Sequence, residues 1–203
     1  MSITIYGDSL SGNCYKVKLL CSLLQIDYEW IDIDILAGET QTSEFLALNP
    51  NAKIPVLVTE DQQVVSESNA ILFYLSQQSA FFPAQVYQQT LCLQWMFFEQ
   101  YSHEPYIAVA RFINKYLGKP ESRLAEFNAK QEGGNKALSI IETQLQKTNY
   151  LLGDSISIAD ICLFAYTHVA DEGGFNLNEY PYILNWIANI KSQKNFVPMT
   201  LSM

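Results

Sequence analysis

Three short stretches carry residue types and spacings suited to a small polar ligand. The first is Ser9-Leu10-Ser11-Gly12-Asn13-Cys14-Tyr15-Lys16-Val17. Val17, Leu20, Cys21 and Leu24 follow the i, i+3, i+4, i+7 spacing of a helix. Ser11 therefore falls just before that helix and just after a strand-like run, Ile3 to Tyr6. The carboxyl end of a strand is where α/β sheets place ligands. There a serine hydroxyl can donate to an anion that also feels the helix N-terminus, or it can serve only as an N-cap.

The second stretch, Ser66-Glu67-Ser68-Asn69-Ala70-Ile71, puts a carboxylate and a hydroxyl at a strand-to-helix junction. The N–H groups opening a helix suit a ligand carboxylate, while Glu67 can accept an ammonium. Together they would grip the α-carboxyl and α-amino groups of an amino acid. A plain helix cap uses the same residue types. The third stretch is Asn51-Ala52-Lys53-Ile54-Pro55-Val56-Leu57. Pro55 has no N–H for a sheet ladder, so it belongs at a sheet edge or a strand start. A cis Ile54–Pro55 bond would cost only about 0.5–1 kcal/mol relative to trans. In either isomer the backbone groups of Ile54 can pair with an extended peptide ligand, although an ordinary strand-entry proline looks the same.

The elements that must position these residues follow from periodicity. Trp30 to Ile35 alternates apolar and acidic as a half-buried strand does. Thr42 or Ser43 can cap a short helix that ends at Asn49-Pro50. Ile54–Thr59 and Gln63–Ser66 are two strands around a polar turn, and Ser68–Ser76 is helical. The order is β-α-β-α-β-β-α. After Phe82-Pro83 only long amphipathic segments follow, over 85–114, 121–146, 157–169 and 182–191. The expected domains are an α/β domain over 1–80, a linker at 81–84 and an all-helical domain over 85–203.

Composition narrows the classes of function. The chain has 203 residues, 49% of them hydrophobic and 16% charged, a globular composition. Twelve basic against 21 acidic residues leave a net charge of −9, which argues against nucleic acid and anionic membrane surfaces as partners. Residues 1–80 hold three basic and ten acidic side chains, so −7, while the remainder carries only −2. That step supports a boundary near residue 80. Cys14, Cys21, Cys92 and Cys162 show no metal-ligand or disulfide spacing. With no signal-peptide pattern and no apolar run of about 18 residues, a reduced, soluble, cytoplasmic protein is expected.

Each stretch alone is ordinary, but the ordered set is not. Ser11 before the first helix, Lys53-Ile54-Pro55 before the third strand and Glu67-Ser68 before the third helix resemble the thioredoxin-like N-terminal domain of cytosolic glutathione transferases. Gly153-Asp154-Ser155-Ile156-Ser157-Ile158-Ala159-Asp160 is similar to that family's capping box in the helical domain, with Ser157 as N-cap, Asp160 at N3 and Ile156 packing on Ile161. An Asp stands there in place of the usual Glu.

The resemblance implies a thioredoxin-like α/β domain followed by an all-α domain that completes an electrophile pocket. It implies that glutathione is the co-substrate, that no cofactor or metal is needed, and that the protein is a homodimer acting on a small hydrophobic electrophile. Ser11 matches the serine that hydrogen-bonds the glutathione sulfur. Lys53 and the Ile54 backbone match the groups holding the glycyl and cysteinyl portions, and Glu67 and Ser68 those holding the γ-glutamyl end. Tyr6 and Asn13 remain rivals for the sulfur's donor. Cys14 is expected to be a buried helix residue, because family members working through mixed disulfides carry cysteine at the Ser11 position. Tyr101, Tyr106 and Phe112 are candidate pocket residues, His103 a surface or capping residue, and Glu99 or Glu104 a candidate to reach the partner subunit's γ-glutamyl amine. A non-catalytic binding protein and a glutathione-dependent peroxidase or thiol–disulfide reductase share the same expected fold.

Overall fold

β1 (Ile3–Gly7), β2 (Tyr28–Asp32), β3 (Val56–Val58) and β4 (Val64–Ser66) form one sheet in the order β2-β1-β3-β4. The structure is a computed structural model that describes residues 3–199. β1 and β2 are parallel, whereas β3 runs antiparallel to both β1 and β4. Ile5 and Leu57 pair across β1 and β3 and are fully buried with Val17, Cys21 and Ile71. Val17 and Cys21 come from α1 (Gly12–Leu24) and Ile71 from α3 (Ser68–Leu75), so both helices cover the same face of the sheet. Strand alternation turns Tyr6 to the other face, where it lines a cavity with Phe45 and Leu48 of α2 (Ser43–Leu48).

The elements of this unit follow the expected order, with shifted ends. Thr42 caps α2 by accepting the Phe45 N–H at 3.3 Å. β2 stops at Asp32 instead of continuing to Ile35, because the Asp34 carboxylate accepts the N–H groups of Leu36 and Ala37 at 2.9 and 3.0 Å and folds the chain into a turn. Pro55 stands at a strand start, just ahead of β3, an inner strand of the sheet.

Contacts divide the chain into one unit ending at Ser79 and rejoined from Gln193 onward, and a second over Ala80–Ser192. The expected helical domain ran on to residue 203, of which 200–203 lie outside the described residues; residues 193–199 instead pack with the sheet-bearing unit. The Tyr15 hydroxyl donates to the Val197 carbonyl at 2.8 Å, and Ser22 Oγ donates to the Asn195 carbonyl at 2.7 Å. These contacts span more than 170 residues of chain, so no local pattern announces them.

The second unit is helical. The segment expected as one helix over 85–114 is α4 (Val86–Phe98), a π-helical turn (Glu99–His103), α5 (Glu104–Arg111) and a second π turn (Phe112–Tyr116). Pro105 supplies the reason for the first π turn: it has no N–H to give the preceding turn, and the widened turn makes room for its ring. α6 (Leu124–Leu145) carries Gly133-Gly134 at its centre. A Cβ on either would lie 2.2 Å from a ring carbon, of Tyr106 or of Phe175, so only glycine lets these rings lie on the helix backbone.

α7 (Ile158–Thr167) and α8 (Pro181–Lys191) complete the unit. The fully buried Asp160 accepts the Ser157 N–H and hydroxyl at 2.9 and 2.8 Å on one oxygen. Its other oxygen accepts the Leu151 N–H and the Trp186 indole N–H, both at 2.9 Å. Glu142 of α6 accepts the N–H groups of Tyr182 and Ile183 at 3.0 and 2.9 Å, opening α8. Among the described residues, no helix is long and apolar enough to cross a membrane.

Candidate functional site

Sheet register gathers the three stretches singled out above. Tyr6, Val56 and Ser66 pair in one row across β1, β3 and β4. The chain leaving β1, the chain entering β3 and the chain leaving β4 therefore meet at one end of the sheet. Those segments carry Ser11, Lys53-Ile54-Pro55 and Glu67-Ser68.

The path from β1 to Ser11 is tightly turned. A Cβ at Gly7 would lie 2.7 Å from Cη2 of Trp30, so the strand ends on the one residue that fits. The Asp8 carboxylate accepts the Leu10 N–H at 2.7 Å, and the Ser11 N–H donates to the Asp8 carbonyl at 3.0 Å. Ser11 is the N-cap of α1, its Oγ accepting the Cys14 N–H at 3.4 Å. In this role the oxygen is an acceptor and its O–H can still donate to a ligand. Cys14, one turn later, is fully buried, and burial pushes its thiol up to about 12 despite the opposing Ser11 and Asp8 hydrogen bonds. It is not a thiolate at neutral pH.

Lys53 is exposed, Ile54 half-buried, and the Ile54–Pro55 peptide is cis. The loop is held from behind by Asn49, whose side chain donates to the Lys53 carbonyl at 2.7 Å and accepts the Asn51 N–H at 3.1 Å. Glu67 is exposed and occupies the N-cap position of α3 with φ 69° and ψ 113°. Such a left-handed φ on a non-glycine residue costs about 1–3 kcal/mol. Its carboxylate makes no cap bond to α3.

Ser68 is buried, and its hydroxyl donates to Asn13 Oδ1 at 3.2 Å. It accepts from Lys16 Nζ at 3.3 Å, and the same ammonium donates to Asn69 Oδ1 at 3.3 Å. The starts of α1 and α3 are thus joined by a polar chain, Asn13–Ser68–Lys16–Asn69. Sequence reasoning missed Lys16, Asn69 and Asn49. No sequence signal separates Lys16 from Lys18; both lie in the run Cys14–Cys21, every residue of which the structure buries.

Among the rivals for the sulfur's donor, Tyr6 faces α2 and not the start of α1, and Asn13 has its carbonyl oxygen turned to Ser68. In the helical unit two expectations change. His103, expected as a surface or capping residue, is not at the surface: it is fully buried with Nε2 2.9 Å from Thr167 Oγ1, and it occupies the N-cap position of α5 without a side-chain cap bond. Glu99 is fully buried and accepts from Gln100 and from the Cys162 thiol at 2.8 and 3.4 Å, inside the helical unit. Both side chains are drawn inward because the π turn faces α7. Tyr101, by contrast, is 86% exposed. No group of three or more His, Cys, Asp or Glu side chains among the described residues could hold a metal ion.

Residues 10–78 match the family model for the glutathione S-transferase N-terminal domain, and residues 95–194 that for its C-terminal domain. A crystal structure of a glutathione S-transferase from Pseudomonas fluorescens is 55% identical, covers 98% of this chain and 100% of its own, and superposes with a TM-score of 0.97. The chain belongs to the glutathione S-transferase family. Its fold is that family's, a thioredoxin-like mixed-sheet unit with a helical unit. Among curated relatives, protein URE2 of Meyerozyma guilliermondii is 27% identical, covering 90% of this chain and 74% of its own length. The disulfide-bond oxidoreductase YfcG of Escherichia coli is 26% identical, covering 89% of this chain and 86% of its own length.

Proposed function

We propose that this protein is a detoxifying glutathione transferase that adds the glutathione thiolate to small hydrophobic electrophiles, working as a cytoplasmic homodimer. One observation carries the reading: Ser11, Lys53-Ile54 and Glu67-Ser68 lie at the same end of the sheet, beside the N-termini of α1 and α3. In this reading Lys53 and the Ile54 backbone hold the glycyl and cysteinyl parts. Glu67 accepts the γ-glutamyl ammonium, and Ser68 with the α3 N-terminus holds its carboxylate.

A free thiol has a pKa of about 8.5, and only the thiolate is a good nucleophile. The Ser11 O–H donates to the sulfur, and the positive end of α1 favours the anion. Ser11 takes no proton; the thiol proton leaves to solvent. The thiolate then forms a carbon–sulfur bond as the electrophile's leaving group departs with its electron pair. No cofactor or metal enters this scheme. In this reading the electrophile pocket belongs to the helical unit, Ala80–Ser192, where the segment from Trp95 to Tyr106 is dense in aromatic residues. Dimerisation is supported by α4, which has no charged residue and exposes Tyr87 and Phe97 by 70% and 68%.

Conjugation of a chloronitroaromatic substrate tests the reading, with Ser11→Ala expected to lose rate and to raise the pKa of the bound thiol. Wild-type behaviour in that variant would remove Ser11 from the scheme. A second reading, glutathione-dependent disulfide reduction, is favoured by the disulfide-bond oxidoreductase among the relatives. Turnover of a small mixed disulfide without conjugation would select it. A chain that is not retained on immobilised glutathione would instead be a binding protein for another ligand.

A further inference from the structure

We propose that Lys16 is a positioning residue of the glutathione site, a buried cation that tunes the start of α3 for the γ-glutamyl α-carboxylate. Lys16 has this role only if the glutathione reading above holds, and it supplies what that reading lacks. The first 80 residues carry −7, and glutathione is an anion, so the site needs positive charge close to the ligand. Three cations are available there: Lys16, Lys18 and Lys53. Lys18 lies near enough to Asp32 to feel its charge. Lys53 is exposed, so solvent and salt screen it. Lys16 is fully buried, where a charge acts through a lower effective dielectric.

Its placement is specific. Nζ lies 3.3 Å from both Ser68 Oγ and Asn69 Oδ1, the first two side chains of α3. An ammonium on the Ser68 oxygen polarises the hydroxyl and makes its O–H a stronger donor. That hydroxyl now donates to Asn13 Oδ1 at 3.2 Å, two residues after Ser11. When a carboxylate arrives at the α3 N-terminus, the O–H can swing to it while Lys16 keeps the oxygen in place. The same chain of bonds sets the spacing between the starts of α1 and α3, which face the sulfur and the γ-glutamyl end of one tripeptide.

A residue that merely ties two helices together would affect every ligand alike, whereas a cation serving one carboxylate would not. The test is calorimetric titration of Lys16→Gln and Lys16→Arg with two peptides: glutathione, and its analogue in which hydrogen replaces the γ-glutamyl α-carboxylate. Lys16→Gln keeps hydrogen-bonding capacity and loses the charge. It is expected to weaken glutathione by about tenfold or more and the analogue by less than about twofold, with Lys16→Arg restoring most of the difference. Equal losses for both peptides, or none in a folded Lys16→Gln protein, would overturn the assignment. If Lys16→Gln does not melt as a folded protein, Lys16→Arg decides. With charge retained it must keep the preference for glutathione, and a folded Lys16→Arg protein without that preference overturns the assignment. A wild-type chain that binds neither peptide overturns the glutathione reading itself.

Discussion

α7 and α8 in the helical unit begin on carboxylates from their own chain, Asp160 and Glu142. α1 and α3 in the sheet-bearing unit begin without one. α1 starts on the uncharged Ser11 hydroxyl, Glu67 makes no cap bond to α3, and neither helix has an acidic residue in its first turn. The physics at all four ends is the same: unpaired N–H groups and the positive end of the helix dipole attract negative charge. At α7 and α8 that attraction is satisfied internally and stabilises the fold. At α1 and α3 no carboxylate of the first turn meets it, which leaves room for the anion proposed above, and part of the stability an internal carboxylate would provide is forgone.

Removing an internal carboxylate should have the largest effect. Asp160→Ala leaves the donors of Leu151, Ser157 and Trp186 without their acceptor and is expected to cost about 3–5 kcal/mol in urea unfolding. Glutathione affinity of the folded fraction should not change; a loss there would mean the two sets of helix ends are coupled. The next effect is also confined to the helical unit and is read through pH. His168 stacks on Phe164 at 4.5 Å, and burial pushes its pKa from 6.5 down to about 4. Between those values the unfolded chain binds the proton and the folded one does not. Stability is therefore complete above about pH 6.5 and falls as pH drops toward 4, by up to about 3 kcal/mol. Unfolding midpoints across that range should flatten in His168→Gln.

Glu142→Ala is the third, expected to cost about 2 kcal/mol because the N–H groups of Tyr182 and Ile183 lose their acceptor. Ser11→Ala should cost only about 1 kcal/mol of stability, yet raise the bound thiol's pKa, a separation no cap in the helical unit should show. The smallest effect sharpens the comparison most. Ala70 is exposed in the first turn of α3, and Ala70→Glu gives that helix the internal carboxylate it lacks. Stability should rise by about 0.3–1 kcal/mol while glutathione binding weakens. A variant that is stabilised and binds as tightly as before would show that the α3 N-terminus takes no part in holding the ligand.

Local chemistry was readable wherever the partners are neighbours in sequence. Ser11, Thr42 and Ser157 could each be named as caps because the group that bonds them lies three residues on. Lys16 could not be recognised, since a lysine on a helix looks solvent-facing. Its hydrogen-bond partners include Ser68 and Asn69, more than 50 residues away. Glu99 and His103 misled for the same reason: their partners Cys162 and Thr167 sit on a helix more than 60 residues later.

By itself the amino-acid sequence determined the order of strands and helices, the caps and the resemblance to glutathione transferases, because periodicity and capping act between residues a few positions apart. Only the tertiary structure decided that Tyr6, Val56 and Ser66 share one row, that residues 193–199 join the first unit, and that Lys16 is buried beside Ser68. Register, burial and charge placement depend on which distant segments the closed chain brings together, and that information is spread over the whole core.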